Sequence, residues 1–206
     1  KPGPGTGASL SAEIVSTIAT GRAAAMMTAP GSEDEWRKKL TATLMTGATI
    51  IVIDNVKYPL GSATLSAILT TSVWLDRVLG QSEMVRLPQR ATWIATGNNL
   101  RLAGDTARRS YWIRLDAMQD RPWQRKKFRH PKLLAWVTRH RGDLIAALLT
   151  VVRSWYAAGS PKATVPTIGS FEPWAEMLGA VLAFAGVEGF LGNLDALYEQ
   201  IDEEAA

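Results

Sequence analysis

Residues 49–54 read Thr49-Ile50-Ile51-Val52-Ile53-Asp54, and this stretch decides the fold. Four consecutive β-branched apolar residues are typical of a strand that is buried on both faces of a parallel sheet. The carboxyl ends of parallel strands form the edge at which α/β proteins bind their ligands. The sequence therefore predicts that Asp54 lies at that edge, where its carboxylate can hold Mg²⁺ through water. The alternative is an ordinary buried strand followed by an Asp-Asn turn.

Helical and extended patterns alternate on both sides of this strand. Apolar residues recur at helical spacing from Leu10 to Ile18, and a short strand is predicted at 24–28. A second helix begins at a capping box formed by Ser32 and Glu35. Beyond the central strand we expect a helix over 63–69, an extended stretch at 84–87, and strands at 91–96 and 110–115. This alternation predicts an α/β fold of three layers around a parallel sheet.

The C-terminal part of the chain carries only helical patterns. We expect one long helix over 133–155, or two helices broken at Gly142, and further helices over 174–185 and 194–201. The predicted organisation is therefore an α/β core over residues 1–117 and a helical lid and tail over 118–206. The chain opens directly on a glycine-rich turn, so we expect the first strand of the core to be missing at the N-terminus.

The composition narrows the class of protein. The chain has 206 residues, of which 47% are apolar, so a sizeable core can form. It has no cysteine, which excludes disulfides and thiolate metal sites and favours a reducing cytoplasm. No apolar run approaches the roughly 20 residues that a membrane-spanning helix needs. The net charge of +4 agrees with a nucleic-acid partner without requiring one.

The first candidate site precedes the first predicted helix, at Pro2-Gly3-Pro4-Gly5-Thr6-Gly7-Ala8-Ser9. This segment resembles the G-x-x-x-x-G-K-[S/T] phosphate loop of AAA+ proteins. Glycines let successive backbone N–H groups surround a phosphate, and the helix that follows adds the positive end of its dipole. The resemblance implies that nucleotide phosphates contact Gly5, Thr6, Gly7, Ala8, Ser9 and Leu10, with the Ser9 hydroxyl on Mg²⁺. The alternative is a glycine-rich loop that caps an ordinary helix.

Two further motifs extend the resemblance to AAA+ proteins and superfamily-three helicases. Trp93-Ile94-Ala95-Thr96-Gly97-Asn98-Asn99 resembles the sensor-1 strand, which implies that Asn98, or in second place Asn99, reaches the γ-phosphate. Arg108 and Arg109 stand where ring-forming relatives carry the arginine finger of the neighbouring subunit. The alternatives are an Asn-rich turn and a solvated basic turn. The order and spacing of loop, buried strand, sensor strand and arginine pair favour the ATPase interpretation.

Three positions depart from the family pattern. Pro2 replaces the first glycine of the loop. Ala8 replaces the lysine that bridges the β- and γ-phosphates, which removes the main point charge of the site. Asn55 replaces the glutamate that polarises the attacking water, and an amide can orient water but cannot accept its proton.

The chain as a whole resembles ATPase domains found beside primase-like genes in phages and integrated elements. Its diagnostic segments include Phe128-Arg129-His130-Pro131 and Ser170-Phe171-Glu172-Pro173-Trp174. The resemblance implies ATP and Mg²⁺ as cofactors, single-stranded or forked DNA and a primase-type protein as partners, and a homo-oligomeric ring that acts as a helicase. The alternatives are a catalytically inactive P-loop scaffold or adaptor, favoured by Ala8 and Asn55, and an incomplete or altered piece of an active enzyme.

One basic run has two interpretations. Arg121-Pro122-Trp123-Gln124-Arg125-Lys126-Lys127 mixes positive charge with an aromatic ring, a composition suited to single-stranded nucleic acid. The alternative is a solvated loop. His130 and His140 are too few and too far apart to predict a metal site.

Overall fold

The computed structural model describes residues 5–205 and the side chains of residues 5–200. Residues 2–4 of the glycine-rich loop lie outside the described part. The protein is a mixed α/β structure with a small parallel sheet and several helices. In chain order the elements are α1 (Ala8–Thr20), β1 (Ala25–Met27), α2 (Glu33–Met45), β2 (Ile50–Ile53), α3 (Ala63–Thr70), β3 (Val73–Arg77), β4 (Met84–Pro88), β5 (Thr92–Ala95), α4 (Leu133–Arg139), α5 (Arg141–Ala157), α6 (Glu172–Phe184) and α7 (Leu194–Ala205).

The parallel sheet has the strand order β1-β2-β5, with β2 in the centre. Ile51 pairs with Ala25 on one side and with Trp93 on the other. Ile50 and Val52 pack against Ala12 of α1, while Ile51 and Ile53 point to the opposite face and are also buried. The prediction of a parallel strand buried on both faces is therefore confirmed.

The first two helices have the ends that their sequences predict. Gly21 ends α1 in the left-handed conformation, with φ at 73°. Ser32 caps α2 by accepting a hydrogen bond from the Glu35 backbone N–H. Trp36, Leu40 and Leu44 form the buried stripe of α2, as their spacing predicts.

Helix α3 is fastened to α2 through Glu33. The Glu33 carboxylate accepts hydrogen bonds from the hydroxyl groups of Ser62 and Thr64 and from the backbone N–H groups of Ala63 and Thr64. Burial raises the pKa of Glu33, but these hydrogen bonds together outweigh burial and lower it. An ionised carboxylate at the N-terminus of α3 also complements the helix dipole.

Strands β3 and β4 form an antiparallel hairpin between α3 and β5. The extended stretch at β4 is predicted from the sequence, but β3 is not. The hairpin is fixed to α2 by Thr41, whose hydroxyl donates to Asp76 at 2.5 Å and accepts from Trp74 Nε1 at 2.9 Å. Asp76 is buried, with 8% of its surface exposed.

The prediction of a strand at residues 110–115 is wrong: this segment is irregular. Its backbone and side chains bond to other partners. The Trp112 carbonyl accepts a hydrogen bond from the Asn193 side chain at 3.1 Å, and the Tyr111 ring lies 5.7 Å from the Trp174 ring. Aromatic and β-branched residues favour strands only when a neighbouring strand offers its backbone.

Contacts divide the chain into two compact units. The first comprises Lys1–Thr106 and Arg114–Thr138, and the second comprises Ala107–Ile113 and Arg139–Ala206. This division groups 114–138 with the sheet, whereas the sequence pattern places the boundary near residue 117. Within the second unit, α5 and α6 pack together around Trp155, Ala180 and Val181.

The C-terminal part of the chain has the expected helices, although several of their bounds differ from the predicted ones by a few residues. The chain breaks between α4 and α5 at His140, and Gly142 lies inside the first turn of α5. In the described part of the chain, no helix is long and apolar enough to cross a membrane.

Candidate functional site

Asp54 stands at the carboxyl edge of the sheet, where three elements meet. Its backbone N–H donates to the Met27 carbonyl at 2.8 Å, which continues the pairing of β2 with β1 by one residue. Its carboxylate Oδ1 accepts the Ser9 hydroxyl at 2.6 Å and the Thr96 hydroxyl at 2.6 Å. The first turn of α1 and the ends of β2 and β5 are thereby joined through one carboxylate oxygen.

The sheet register explains why Thr96 reaches Asp54. Ile53 pairs with Ala95, so the next residue of each strand lies side by side at the same edge. The Thr96 backbone N–H donates to the Ile53 carbonyl at 3.0 Å, and the Thr96 hydroxyl also accepts the Asn55 backbone N–H at 3.2 Å. Thr96 is a site residue that sequence reasoning did not assign. The signal that could have identified it is its position directly after β5, in register with Asp54.

The Asp54 carboxyl is held in its ionised form. Hydrogen bonds from Ser9 and then Thr96 lower its pKa, with a smaller contribution from the Asn55 backbone, and they outweigh the opposing effect of burial. Both hydroxyl groups donate to Oδ1, so Oδ2 accepts from neither of them. An ionised carboxylate beside a serine hydroxyl is a ligand set that suits a hard cation such as Mg²⁺.

Among the side chains at 5–200, no group of three or more His, Cys, Asp or Glu residues could hold a metal ion by itself. A structural metal ion is normally held by three or more such side chains. Mg²⁺ is more often held by one or two carboxylates together with substrate phosphates and water. Ser9 and Asp54 together offer one hydroxyl and one carboxylate, which is fewer protein ligands than a structural metal site contains.

The described part of the loop before α1 contains two glycines in the left-handed conformation. Gly5 and Gly7 have φ values of 80° and 95°, in the left-handed region that glycine adopts without strain. Gly7 is the N-cap residue of the 13-residue α1, and no side chain caps the helix there. A Cβ atom added at Gly7 would meet no described atom within 4 Å. Within the described residues, no side chain therefore competes at the N-cap for the N–H groups of the first turn of α1.

Three asparagines follow the ends of β2 and β5 at the same edge of the sheet. Asn55 follows Asp54 with φ at 54°, and Asn98 and Asn99 follow Thr96 by two and three residues. All three side chains are exposed. Gly97 allows the segment after β5 to pass close to the segment after β2, because a Cβ atom at position 97 would lie 2.7 Å from the Val56 carbonyl oxygen. Asn98 and Asn99 therefore follow the residue that bonds to Asp54, and no hydrogen bond is described between their side chains and its carboxylate.

A cavity of about 180 Å³ opens beside Asn99 at this edge. Its polar side chains include Lys57, Tyr58 and Arg101, none of which the sequence patterns single out. Tyr58 is 81% exposed. The polar edge of the sheet therefore extends beyond the Ser9–Asp54–Thr96 cluster.

Arg108 and Arg109 end a 3-10 segment, Gly104–Arg109, and both belong to the second compact unit. The residues that the structure brings together, namely Ser9, Asp54 and Thr96 with Gly7 and Asn55 beside them, all belong to the first unit. The role of the arginine pair across a subunit interface stays a prediction.

No protein-family model matches the chain, and no curated protein or solved structure matches it at a significant level. The assignment of a function therefore rests on the geometry of the site.

Proposed function

We propose that the chain is a P-loop ATPase domain of the AAA+ kind, which binds a nucleoside triphosphate and Mg²⁺ at the loop before α1. The observation that carries the proposal is the 2.6 Å hydrogen bond from the Ser9 hydroxyl to Asp54. It joins the residue that ends the glycine-rich loop to the acid that ends the buried central strand, 45 positions away. A phosphate-bound cation needs this pair of oxygen ligands in one place.

Each part of the site has a role in this proposal. The backbone N–H groups around Gly5 and Gly7, and the first turn of α1, hold the phosphates. Ser9 and Asp54 hold the cation, and Thr96 keeps the Asp54 carboxylate oriented and ionised. Bound Mg²⁺ supplies neutralisation of the phosphate charge. In this proposal Asn98 binds the terminal phosphate or its water, and Asn55 orients water without accepting a proton.

The wider role in this proposal is ATP-driven unwinding or remodelling of single-stranded or forked DNA. It includes a homo-oligomeric ring and a primase-type partner, as in replication proteins of phages and mobile elements. The net charge of +4 and the basic run around Trp123 support a nucleic-acid partner.

A second candidate is a non-catalytic nucleotide-binding scaffold or adaptor. Ala8 and Asn55 favour it, because neither residue can supply the charge or the base that hydrolysis uses in the family. A measurement of ATP hydrolysis distinguishes the ATPase from the non-catalytic scaffold. If the domain is an ATPase, Ala8→Lys raises hydrolysis by about tenfold or more, equivalent to about 1.4 kcal/mol of transition-state stabilisation. If it is a scaffold, neither the natural chain nor the variant hydrolyses ATP.

Nucleotide binding is tested by titration with a fluorescent ATP analogue, with and without Mg²⁺. We expect Mg²⁺ to tighten binding by the natural chain, and we expect Asp54→Asn to abolish this Mg²⁺ effect while leaving the Mg²⁺-free affinity largely intact. Glu83→Gln, which removes an exposed carboxylate from the hairpin, is the matched control and retains the Mg²⁺ effect. Absence of binding by the natural chain in both conditions refutes the proposed function.

A further inference from the structure

The basic segment 121–129 lies against the glycine-rich loop. A Cβ atom added at Gly5 would lie 3.0 Å from Trp123 Cβ, 3.1 Å from its backbone N and 3.3 Å from its Cα. Distances of this size mean that the two backbones lie in close contact and that a side chain at position 5 would require the Trp123 backbone to shift by a few tenths of an ångström. Both segments belong to the first compact unit. The sequence motifs predict the loop and the basic run separately and do not predict that they meet.

A short turn holds the basic segment in this position. Pro122–Gln124 forms a 3-10 helix, and Pro122 is buried. The Gln124 N–H donates to the Arg121 carbonyl at 3.0 Å, and the Arg125 N–H donates to the Pro122 carbonyl at 3.1 Å. Arg121 and Arg125 therefore stand at the two ends of the turn. Each is two residues from Trp123, so its Cα lies within about 7 Å of the Trp123 Cα.

The charges of both arginines are available to an anion. Both side chains are exposed, and among the side chains at 5–200 no carboxylate forms an ion pair with either of them. The Arg125 guanidinium lies 4.6 Å from the centre of the Phe128 ring. This cation–π contact orients the guanidinium group and leaves its charge in place.

The loop itself lacks a cation within the described residues. Positions 5–9 read Gly-Thr-Gly-Ala-Ser, and Ala8 occupies the place of the phosphate-bridging lysine. Holding a polyphosphate by backbone N–H groups alone leaves most of its charge without a partner. Arginine is suited to this task because its planar fork binds phosphate oxygens in pairs and its charge is permanent.

We infer that Arg121 and Arg125 supply, from the turn packed against Gly5, the positive charge that Ala8 does not bring to the phosphates of the bound nucleotide. This inference rests on the proposed nucleotide site. It makes the two arginines binding residues for the β- and γ-phosphates, and it accounts for a phosphate loop that works without its lysine.

The test measures the affinity of the full chain for a fluorescent ATP analogue in the presence of Mg²⁺, with AMP as a competitor. We expect Arg121→Gln and Arg125→Gln each to weaken ATP-analogue binding on the order of tenfold, the equivalent of one charge-assisted hydrogen bond. AMP affinity stays unchanged because AMP has no β- or γ-phosphate. Arg129→Gln makes the same charge change within the segment 121–129 but six residues from Trp123, and it serves as the control, for which we expect unchanged affinity. Arg125→Lys retains most of the binding.

A double substitution separates charge from structure. If the arginines act through their charge on phosphate, Ala8→Lys restores affinity to Arg121→Gln and Arg125→Gln and improves it less in the natural chain. A structural role for either arginine would not be rescued by a lysine at position 8. Binding by the natural chain with unaltered affinity in both arginine variants overturns this inference and leaves the proposed function standing. Absence of nucleotide binding by the natural chain overturns both.

Discussion

Asp54 is the residue on which the candidate site depends. One oxygen of its carboxylate accepts hydrogen bonds from two hydroxyl groups, those of Ser9, 45 positions before it, and Thr96, 42 positions after it. These bonds stabilise the ionised form and lower its pKa. A carboxylate that stays ionised below its ordinary titration range is ready to hold a cation at neutral pH.

Removing one of the two hydroxyl donors should weaken this effect. We expect Thr96→Val to raise the pKa of Asp54 towards its ordinary value, because the ionised carboxyl loses a hydrogen bond that the neutral form uses less well. Carboxyl-carbon NMR titration of the natural chain and the variant measures the shift directly. Thr92→Val, an exposed threonine on the same strand, is the control and leaves the pKa of Asp54 where it was. An Asp54 pKa that is equal in the natural chain and in Thr96→Val contradicts the assigned hydrogen bond.

The lowered pKa of Asp54 also determines how its contribution to the free energy of unfolding changes with pH. Since Asp54 has a lower pKa in the folded chain than in the unfolded chain, its stabilising contribution is present above its unfolded pKa, about 3.9. It is lost as the pH falls through the folded pKa. We therefore expect Asp54→Asn to lower the free energy of unfolding at pH 7, and the difference from the natural chain to shrink towards pH 3. Urea unfolding at both pH values measures it, and a difference that grows on acidification contradicts the assignment.

At the scale of elements, the β3–β4 hairpin is attached to the helix that precedes the central strand. Thr41 of α2 bridges two side chains of β3, as it donates to Asp76 and accepts from Trp74. The Arg77 backbone N–H donates to the other carboxylate oxygen of Asp76 at 2.8 Å. A two-stranded hairpin is marginally stable in water by itself, so this polar network helps to hold it in place.

Substitution of the bridging hydroxyl tests this attachment. We expect Thr41→Val to destabilise the chain by about 1–3 kcal/mol, because the buried Asp76 carboxylate and the Trp74 N–H each lose a partner. Amide hydrogen exchange should show the largest loss of protection at 73–88. Thr43→Val removes an exposed hydroxyl from the same helix and is the control. A loss of protection spread evenly over the sheet would show that Thr41 does not serve the hairpin in particular.

At the scale of the whole molecule, the excess positive charge predicts a salt-dependent affinity for DNA. If the basic run follows a single strand, each phosphate contact contributes a slope of about 0.7 to the plot of log affinity against log salt. We expect Lys126→Ala/Lys127→Ala to reduce that slope by roughly 1.4 units. Fluorescence anisotropy of a labelled oligonucleotide over a range of salt concentrations measures it. Arg22→Ala/Arg37→Ala, which removes two exposed charges elsewhere, is the control, and equal slopes for all three proteins would assign the run to solvation.

The arginine pair makes a prediction about assembly. We expect Arg108 or Arg109 to act on the nucleotide of a neighbouring subunit, because ring ATPases supply the arginine finger in trans. In an Ala8→Lys background, Arg108→Ala/Arg109→Ala subunits and Asp54→Ala subunits should each be nearly inactive. Mixing them should restore ATPase activity by forming sites with one intact loop and one intact finger. An inactive mixture in which mixed rings demonstrably form refutes the trans assignment.

The sequence by itself determined the elements whose evidence is local. The apolar run before Asp54 predicts the central strand, the Ser32 capping box predicts the start of α2, and the spacing of Trp36, Leu40 and Leu44 predicts its buried face. These features depend on residues within one or two turns of each other, where periodicity and capping chemistry suffice. The order of the motifs also predicted that Ser9 and Asp54 would share a site, and the structure joins them.

The tertiary structure alone decided which distant segments meet. Thr96 joins the Asp54 cluster through the register of β5, and Trp123 joins the loop because its turn packs on Gly5. Residues 110–115 have strand-forming side chains but are irregular, and the Trp112 carbonyl accepts a hydrogen bond from the Asn193 side chain. Strand pairing and loop packing depend on contacts between residues far apart in the chain, and local propensity is overridden wherever those contacts satisfy the backbone in another way.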